Sequence, residues 1–387
     1  MNAYIPENLN LDSSTHRDKY YFIITFISFG RIFDKRKNSE SFIELSSRFL
    51  KKIINGRYKD YIEDLIGMNI IETDNQYFVK SKFKAYRLKG KYCKAKLKQV
   101  QIKDDKILSK YQIYKLSKKP TKPCHNYLYE CLTKTQIDYE PAKYFVSSTI
   151  TDFEKYVAYN CSIDMIHSKD WFFVVDSTAG RVHNNISNLS KKIRPFLRYN
   201  NQQLIELDIS NSQPLLFNIL INSYQSDNTT TSNFLPYVPH SDISLYKRLT
   251  EEGKIYDYLM EELNIEEDRD EFKIRFFSKV FYSRENENYI PEERKKFAVL
   301  FPNVAEIISA YKKDDYRDLA IRLQKIEADI MIKKVVPELE KKEIFVLTVH
   351  DSVLVQPENV EVVRNIILIE FQKFDLHPTL KVKKMKH

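Results

Sequence analysis

Leu204-Ile205-Glu206-Leu207-Asp208-Ile209-Ser210-Asn211-Ser212-Gln213-Pro214-Leu215-Leu216-Phe217 is the run on which the reading of this chain turns. Its first half is apolar and strand-like and ends in an aspartate; polar residues then lead into a helical run. A carboxylate at a strand end is held rigidly beside a cleft, as a metal site requires. A second run of this kind, Ile344-Phe345-Val346-Leu347-Thr348-Val349-His350-Asp351-Ser352-Val353-Leu354-Val355, places His350-Asp351 where one strand turns into another. Polar residues interrupting an otherwise buried hairpin are costly unless they serve something. Taken singly, either aspartate is an ordinary turn residue. Brought together, the two suit a pair of divalent cations roughly 3.5–4 Å apart, the arrangement that stabilises attacking and leaving oxygens in phosphoryl transfer.

Between these runs, Arg269, Lys273, Phe277 and Phe281 recur every four residues. That spacing predicts one helical face, as a single grip on one ligand needs. The same mixture of acidic, basic and aromatic residues, Glu266 to Tyr282, also suits an ordinary amphipathic surface helix.

Six segments in this order resemble family A nucleic acid polymerases, the DNA polymerase I type, across most of Ser177 to Val355. Asp208-Ile209-Ser210 is similar to the family's first catalytic motif and Val349-His350-Asp351 to its third; the Arg269 to Phe281 segment resembles its fingers helix. Thr178-Ala179-Gly180-Arg181, Phe297 to Pro302, and Gln324 with Ala328-Asp329-Ile330 resemble three further family segments. The resemblance implies an α+β right-hand polymerase with an antiparallel palm sheet in 166–387 and a helical fingers insertion at about 220–320.

By the same resemblance Asp208 and Asp351 hold two Mg2+ ions (Mn2+ being the alternative), and Lys273 and Arg269 neutralise a nucleoside triphosphate. Phe277, Phe281 and Tyr282 lie near base and sugar, and Arg181, Gln324 and His350 hold a DNA primer–template. Some positions depart from the family. Gln213 stands where the DNA enzymes carry a glutamate that blocks a ribose 2′-hydroxyl, Phe281 where they carry tyrosine, and Ser352 where they carry glutamate, the last as in phage-type single-subunit RNA polymerases. The expected activity is template-dependent DNA synthesis from dNTPs. A small RNA polymerase or primase, and a DNA-binding replication initiator with a vestigial palm, are the competing readings.

The remainder of the chain fits a nucleic-acid partner. A net charge of +9 over 387 residues favours polyanions. The excess is concentrated between Lys80 and Lys122, whereas Glu251 to Glu271 is acidic. Phe42, Leu45, Phe49, Ile53 and then Tyr58, Ile62, Leu65 predict two helices, and Ile70-Ile71 and Tyr77-Phe78-Val79 a hairpin about Asp74-Asn75. Residues 1–90 thus resemble a winged helix, with Lys80, Lys82, Lys84 and Arg87 on or beside the wing to meet phosphates; a solvated lysine face on an α+β subdomain is the plainer reading.

Ser117 to Pro123 breaks the chain with two prolines inside a stretch, 91–165, expected to be a basic linker followed by thumb-like helices. Lys381 to Lys386 reads as a charged tail. Asp138-Tyr139-Glu140 mimics the opening of an exonuclease motif, but too little chain follows for a nuclease domain of ~150 residues, so no proofreading is expected. No apolar stretch reaches the ~18 residues of a membrane span, no secretory signal is visible, and Cys93, Cys124, Cys131 and Cys161 form no Cys-x-x-Cys pair. A reduced, cytoplasmic protein, without a membrane partner and from a mobile-element or phage setting, is the expectation.

Overall fold

A computed structural model of the chain describes residues 1–34, 36–75, 84–229, 241–284 and 290–384. Strand β1 (Asn2–Pro6) buries Ala3, Tyr4 and Ile5 and leads into α1 (Arg17–Phe33), whose apolar run from Tyr20 to Ile24 is buried. Next come β2 (Ile43–Glu44), α2 (Ser47–Ile53), α3 (Tyr58–Gly67), β3 (Ile71–Thr73) and β4 (Ala85–Leu88). Ser46 starts α2 by accepting the Phe49 amide at 3.3 Å. The three strands form an antiparallel sheet in the order β2-β4-β3. The second helix expected from the apolar spacing is present, and the first begins only at Ser47, because Ile43–Glu44 pairs with β4 and leaves Phe42 and Leu45 outside the helix; Tyr77, Phe78, Val79, Lys80 and Lys82 lie outside the described residues.

The expected boundary at residue 90 does not match the packing. Strand β5 (Leu97–Gln101) pairs antiparallel with β1, and Ile107 of α4 (Asp105–Leu116) belongs to the same core as α1 to α3. Residues up to 116 therefore close the first unit, and the proline-bearing stretch after Leu116 separates it from a second core. Pro123 occupies the first turn of α5 (Pro123–Lys134), where its missing amide costs nothing. Helices α6 (Tyr139–Thr149) and α7 (Phe153–His167) follow β6 (Gln136–Ile137). Asp138, from the exonuclease-like triplet, precedes α6 and is ion-paired with Arg198 at 2.5 Å.

The second core contains a two-stranded ribbon of β7 (Phe173–Val175) and β8 (Val182–Asn184). A small sheet joins β9 (Leu197–Tyr199) to β6 and to β10 (Gln202–Gln203). Strand β11 (Ile205–Ile209) then opens an all-helical excursion: α8 (Ser212–Thr229), α9 (Ser241–Glu251), α10 (Ile255–Glu262), α11 (Arg269–Phe276), α12 (Glu292–Leu300), α13 (Pro302–Lys312), α14 (Asp318–Ile330) and α15 (Val336–Glu340). The chain returns as β12 (Leu347–Val349), β13 (Ser352–Val355), α16 (Val360–Gln372) and β14 (Leu380–Lys384). These strands form one antiparallel sheet, β12-β13-β11-β14. The class is α+β, with small antiparallel sheets and abundant helix. Among the described residues no helix is long and apolar enough to cross a membrane.

One glycine anchors the end of β11. Gly253, between α9 and α10, has φ +75°, and a Cβ there would meet Ser210 Cβ at 2.9 Å. The same junction ties the Ser210 amide to the Thr379 carbonyl at 2.9 Å and the Thr379 amide to the Glu251 carbonyl at 3.1 Å. Gly253→Ala should therefore destabilise the protein by ~1–3 kcal/mol, from left-handed backbone strain plus the clash. Urea unfolding measures it, and an unchanged midpoint would show that the junction is looser than described.

Candidate active site

Strand pairing brings Asp208 and Asp351 together. Asp208 in β11 lies directly opposite Ser352 in β13, and Val349 pairs with Ser352 to close a two-residue turn made of His350 and Asp351. His350 takes φ +57° in that turn. The Ile209 amide donates to the Asp351 carbonyl at 3.4 Å, extending the ladder onto the turn. Because side chains alternate along a strand, Leu207 and Ile209 face the core while Glu206 and Asp208 share the other face.

Asp351's carboxyl is held above the usual aspartate range, first by burial and then by the charge of Asp208. Lys273 and Arg181 pull it back down. The four groups thus share one electrostatic environment. Behind them Arg194 is buried at 3.6 Å from Glu206, and burial lowers its pKa while Glu206, Asp208 and Asp351 oppose that shift.

The described part of the run read as a basic tail, Lys381 to Lys384, belongs to β14, which pairs with β11. Asp208 is opposite Lys381, and Lys383, one step along the same face, reaches diagonally to Asp208 Oδ2 at 2.5 Å. A lysine-rich segment is ambiguous until pairing aligns it, so Lys383 could not be assigned from sequence.

Arg181 enters from the turn of the β7–β8 ribbon. Asp176 accepts the amides of Thr178 at 3.0 Å and Ala179 at 2.7 Å, Gly180 takes φ +76°, and the Asp176 amide returns to the Arg181 carbonyl at 2.8 Å. The turn aims Arg181 at Glu327, to which it donates at 2.6 Å. Glu327 also accepts Gln213 Nε2 at 2.7 Å, and the Tyr282 hydroxyl lies 3.5 Å from Gln213 Oε1. Glu327 is 3% exposed, and its carboxyl is pushed up from the ordinary 4.5 to about 7, chiefly by burial. Burial likewise pushes the Tyr282 hydroxyl up to about 12, so it remains a donor.

Sequence reasoning passed over Glu327, although a signal was present. It continues the buried Leu319, Leu323 stripe of α14, and a glutamate on an apolar helix face is costly unless it is partnered.

The helix carrying the expected phosphate grip behaves differently from its spacing. After Phe276 the α-helix widens into a π-turn, Phe277–Phe281, in which the Tyr282 amide bonds to the Phe277 carbonyl at 2.9 Å. One extra residue in the turn shifts the phase of everything after it. Phe281 is consequently 0% exposed, packed on Phe217, and it is Tyr282 that reaches Gln213. Phe277 stacks on Tyr282 with ring centroids 5.7 Å apart. Lys273 is exposed, whereas Arg269 is ion-paired with Asp257 at 2.6 Å; both lie over the Tyr256 ring.

Gln324 is half-buried one turn before Glu327, and His350 faces His183 with ring centroids 6.1 Å apart. In the N-terminal unit Lys84 is exposed, but Arg87 is held by Glu72 at 2.5 Å and by the Glu40 carbonyl at 2.9 Å, so it braces the hairpin and is not presented to phosphates. Lys82 lies outside the described residues.

No protein-family model matches the chain, and no curated protein matches it. Among the described residues no group of three or more His, Cys, Asp or Glu is arranged to hold a metal ion. The donor set on offer is the two aspartates, whose mutual repulsion at Asp351 a hard cation would relieve and whose oxygens suit Mg2+ or Mn2+.

Two measurements follow from these charges. The folded chain binds the Glu327 proton more tightly than the unfolded chain, so this group's contribution to stability is complete below about pH 4.5 and is lost as pH rises through about 7. Glu327→Gln should flatten the stability–pH profile between about pH 5 and 8 by on the order of 2–3 kcal/mol; an unaltered slope in urea unfolding would exclude Glu327 as its source. Lys383 competes with any cation at Asp208. Lys383→Ala should tighten Mn2+ binding, followed by calorimetry, by up to ~5-fold, the scale of an exposed ion pair, and weaker binding would reverse that role.

Proposed function

We propose that the chain is a template-dependent DNA polymerase of the family A type, extending a primer 3′-hydroxyl with dNTPs and lacking proofreading. The observation that carries the reading is the meeting of Asp208 and Asp351 at one strand junction, with the charge of Lys273 acting on Asp351. In this reading β12-β13-β11-β14 is the palm sheet, the helices from α8 to α13 are the fingers, and α5 to α7 are thumb-like.

Asp208 and Asp351 would hold Mg2+, or Mn2+ in its place. When bound, such ions activate the attacking hydroxyl and stabilise the departing pyrophosphate. The chain's own groups position and neutralise, which is most of what phosphoryl transfer asks of a protein. Lys273, exposed and 5.9 Å from the Tyr256 ring centroid, would meet the triphosphate, and Arg269 would join it on leaving Asp257. Arg181, braced by Glu327, meets the primer end, while Gln324 and His350 flank the duplex. Tyr282 and Phe277 form the stacked aromatic platform for base and sugar. In the N-terminal unit the order helix, strand, helix, helix, strand, strand, with the first strand at the far edge of the hairpin, is that of a winged helix and supports a DNA contact there.

One observation favours a second substrate. Gln213 spends its amide N–H on Glu327, which turns its carbonyl oxygen toward Tyr282. A carbonyl acceptor tolerates a ribose 2′-hydroxyl, so ribonucleotides are the runner-up, in a small RNA polymerase or primase.

Extension of a primed template with Mg2+, run in parallel with dNTPs and NTPs, separates these readings. The expected result is dNTP incorporation that Asp351→Asn lowers by at least ~10²-fold, the scale on which single preorganised groups act. An Asp351→Asn protein extending at the wild-type rate would overturn the assignment.

A further inference from the structure

The lysine-rich stretch that ends the first unit has no role in the chemistry above, yet it lines a groove of about 570 Å³ between α4 and the β7–β8 ribbon. That size lies within the ~300–1,000 Å³ of ligand sites, and the groove shares no lining residue with the carboxylate site. Tyr111 and Tyr114 of α4 present rings one turn apart, inclined by only 21°. Tyr129 of α5 meets Phe173 of β7 edge-on at 5.8 Å, and Trp171 forms part of the wall.

Four lysines line the same groove and no acidic side chain does. Lys115 is ion-paired with Asp170. Lys118 and Lys119 lie 5.7 and 5.5 Å from the ring centroids of Tyr114 and Tyr129, and with Lys169 they carry no ion pair among the described residues. Val174, 53% exposed, leaves the ribbon edge open.

We infer that this groove binds single-stranded nucleic acid, with bases stacked on the half-buried tyrosine rings and phosphates on Lys118, Lys119 and Lys169. Flat rings interleaved with uncompensated ammonium groups match the two repeating parts of a single strand, base and phosphate. A duplex hides its base faces and could use only the lysines. An acidic peptide could use the lysines too, but it would leave the rings without partners. The ribbon that walls the groove through Phe173 and Val175 is the one whose turn carries Arg181, so groove and candidate site share one element. The inference holds whether or not the carboxylates polymerise.

The chain carries one tryptophan, Trp171, inside the groove, and it reports occupancy directly. Titrating full-length protein with oligo(dT) and oligo(rU) should quench its fluorescence saturably. Three free lysines predict a slope of log K against log salt near ~−2, at ~0.7 per single-strand phosphate. Lys118→Glu with Lys119→Glu should weaken binding at least ~10-fold, and Tyr129→Ala by about the same factor through lost stacking. The lysines are exposed, whereas Tyr129 is half-buried against Phe173, so circular dichroism checks that the fold persists and the charge-reversed variant tests the groove independently of packing.

Asp351→Asn should leave the quench intact, so a protein that binds oligo(dT) but extends no primer sinks the polymerase reading and keeps this one. Absence of a saturable quench, equal binding by the charge-reversed variant, or displacement of oligo(dT) by equimolar poly-glutamate would overturn the groove assignment. Preference for DNA over RNA, or the reverse, identifies which single strand it takes.

Discussion

Two carboxylates, Asp208 on β11 and Asp351 in the turn between β12 and β13, are drawn together by a hydrogen-bonded ladder and repel each other, and basic side chains from several elements answer that repulsion. Asp208 cannot move away from Asp351 without breaking the pairing of β11 with β13, and Asp351 cannot move without unwinding the turn at His350. Positive charge answers from four directions: Lys383 across the sheet, Lys273 from the helical excursion, Arg181 from the ribbon turn and Arg194 from behind. A structure of this kind costs stability unless the clustered charge serves a ligand, which is why perturbed carboxyls mark functional sites.

Glu327 extends the same logic into the interior. It is buried, yet it is tied to Arg181 and Gln213, and through Gln213 it sets which side of an amide faces Tyr282. Breaking one partner of a buried pair leaves an uncompensated charge, so such pairs hold geometry more firmly than they add stability. The π-turn at Phe277–Phe281 does related work on the opposite wall. By inserting one residue it sinks Phe281 into the core and brings Tyr282 alongside Gln213. π-turns are rare and are found disproportionately at functional sites.

The groove at the junction of the two cores gives the first unit a purpose beyond packing. Tyr111, Tyr114 and Lys115 come from α4, which belongs to the N-terminal core, and Lys118 and Lys119 follow it, while Tyr129, Trp171 and Phe173 belong to the second core and Lys169 just precedes β7. Neither core alone makes the groove. A strand bound across it would hold the two units in register with the carboxylate site.

Much was legible from order along the chain. The apolar run ending in Asp208, the hairpin interrupted by His350-Asp351, and the helices at Phe49–Ile53 and Tyr58–Leu65 appear where local pattern placed them, because periodicity and turn chemistry are properties of neighbouring residues, whereas Phe42 and Leu45 flank a strand that pairs with β4. The α+β class came from the resemblance those runs carry, and the small antiparallel sheets and abundant helix agree with it. What the sequence could not disclose are contacts between distant segments. Lys383 looked like a tail until β14 paired with β11, Arg87 looked free until Glu72 met it across the hairpin, and Glu327 looked like any helical glutamate until Arg181 arrived from a turn 146 residues away. Spacing likewise placed Phe281 with Arg269 and Lys273, and only the folded backbone, by widening one turn, reassigned that position to Tyr282. The sequence by itself determined which residues could carry charge and which elements would carry them. The tertiary structure decided which charges meet, because ion pairing and burial depend on through-space distance, which strand register and helix packing set only once the chain has folded.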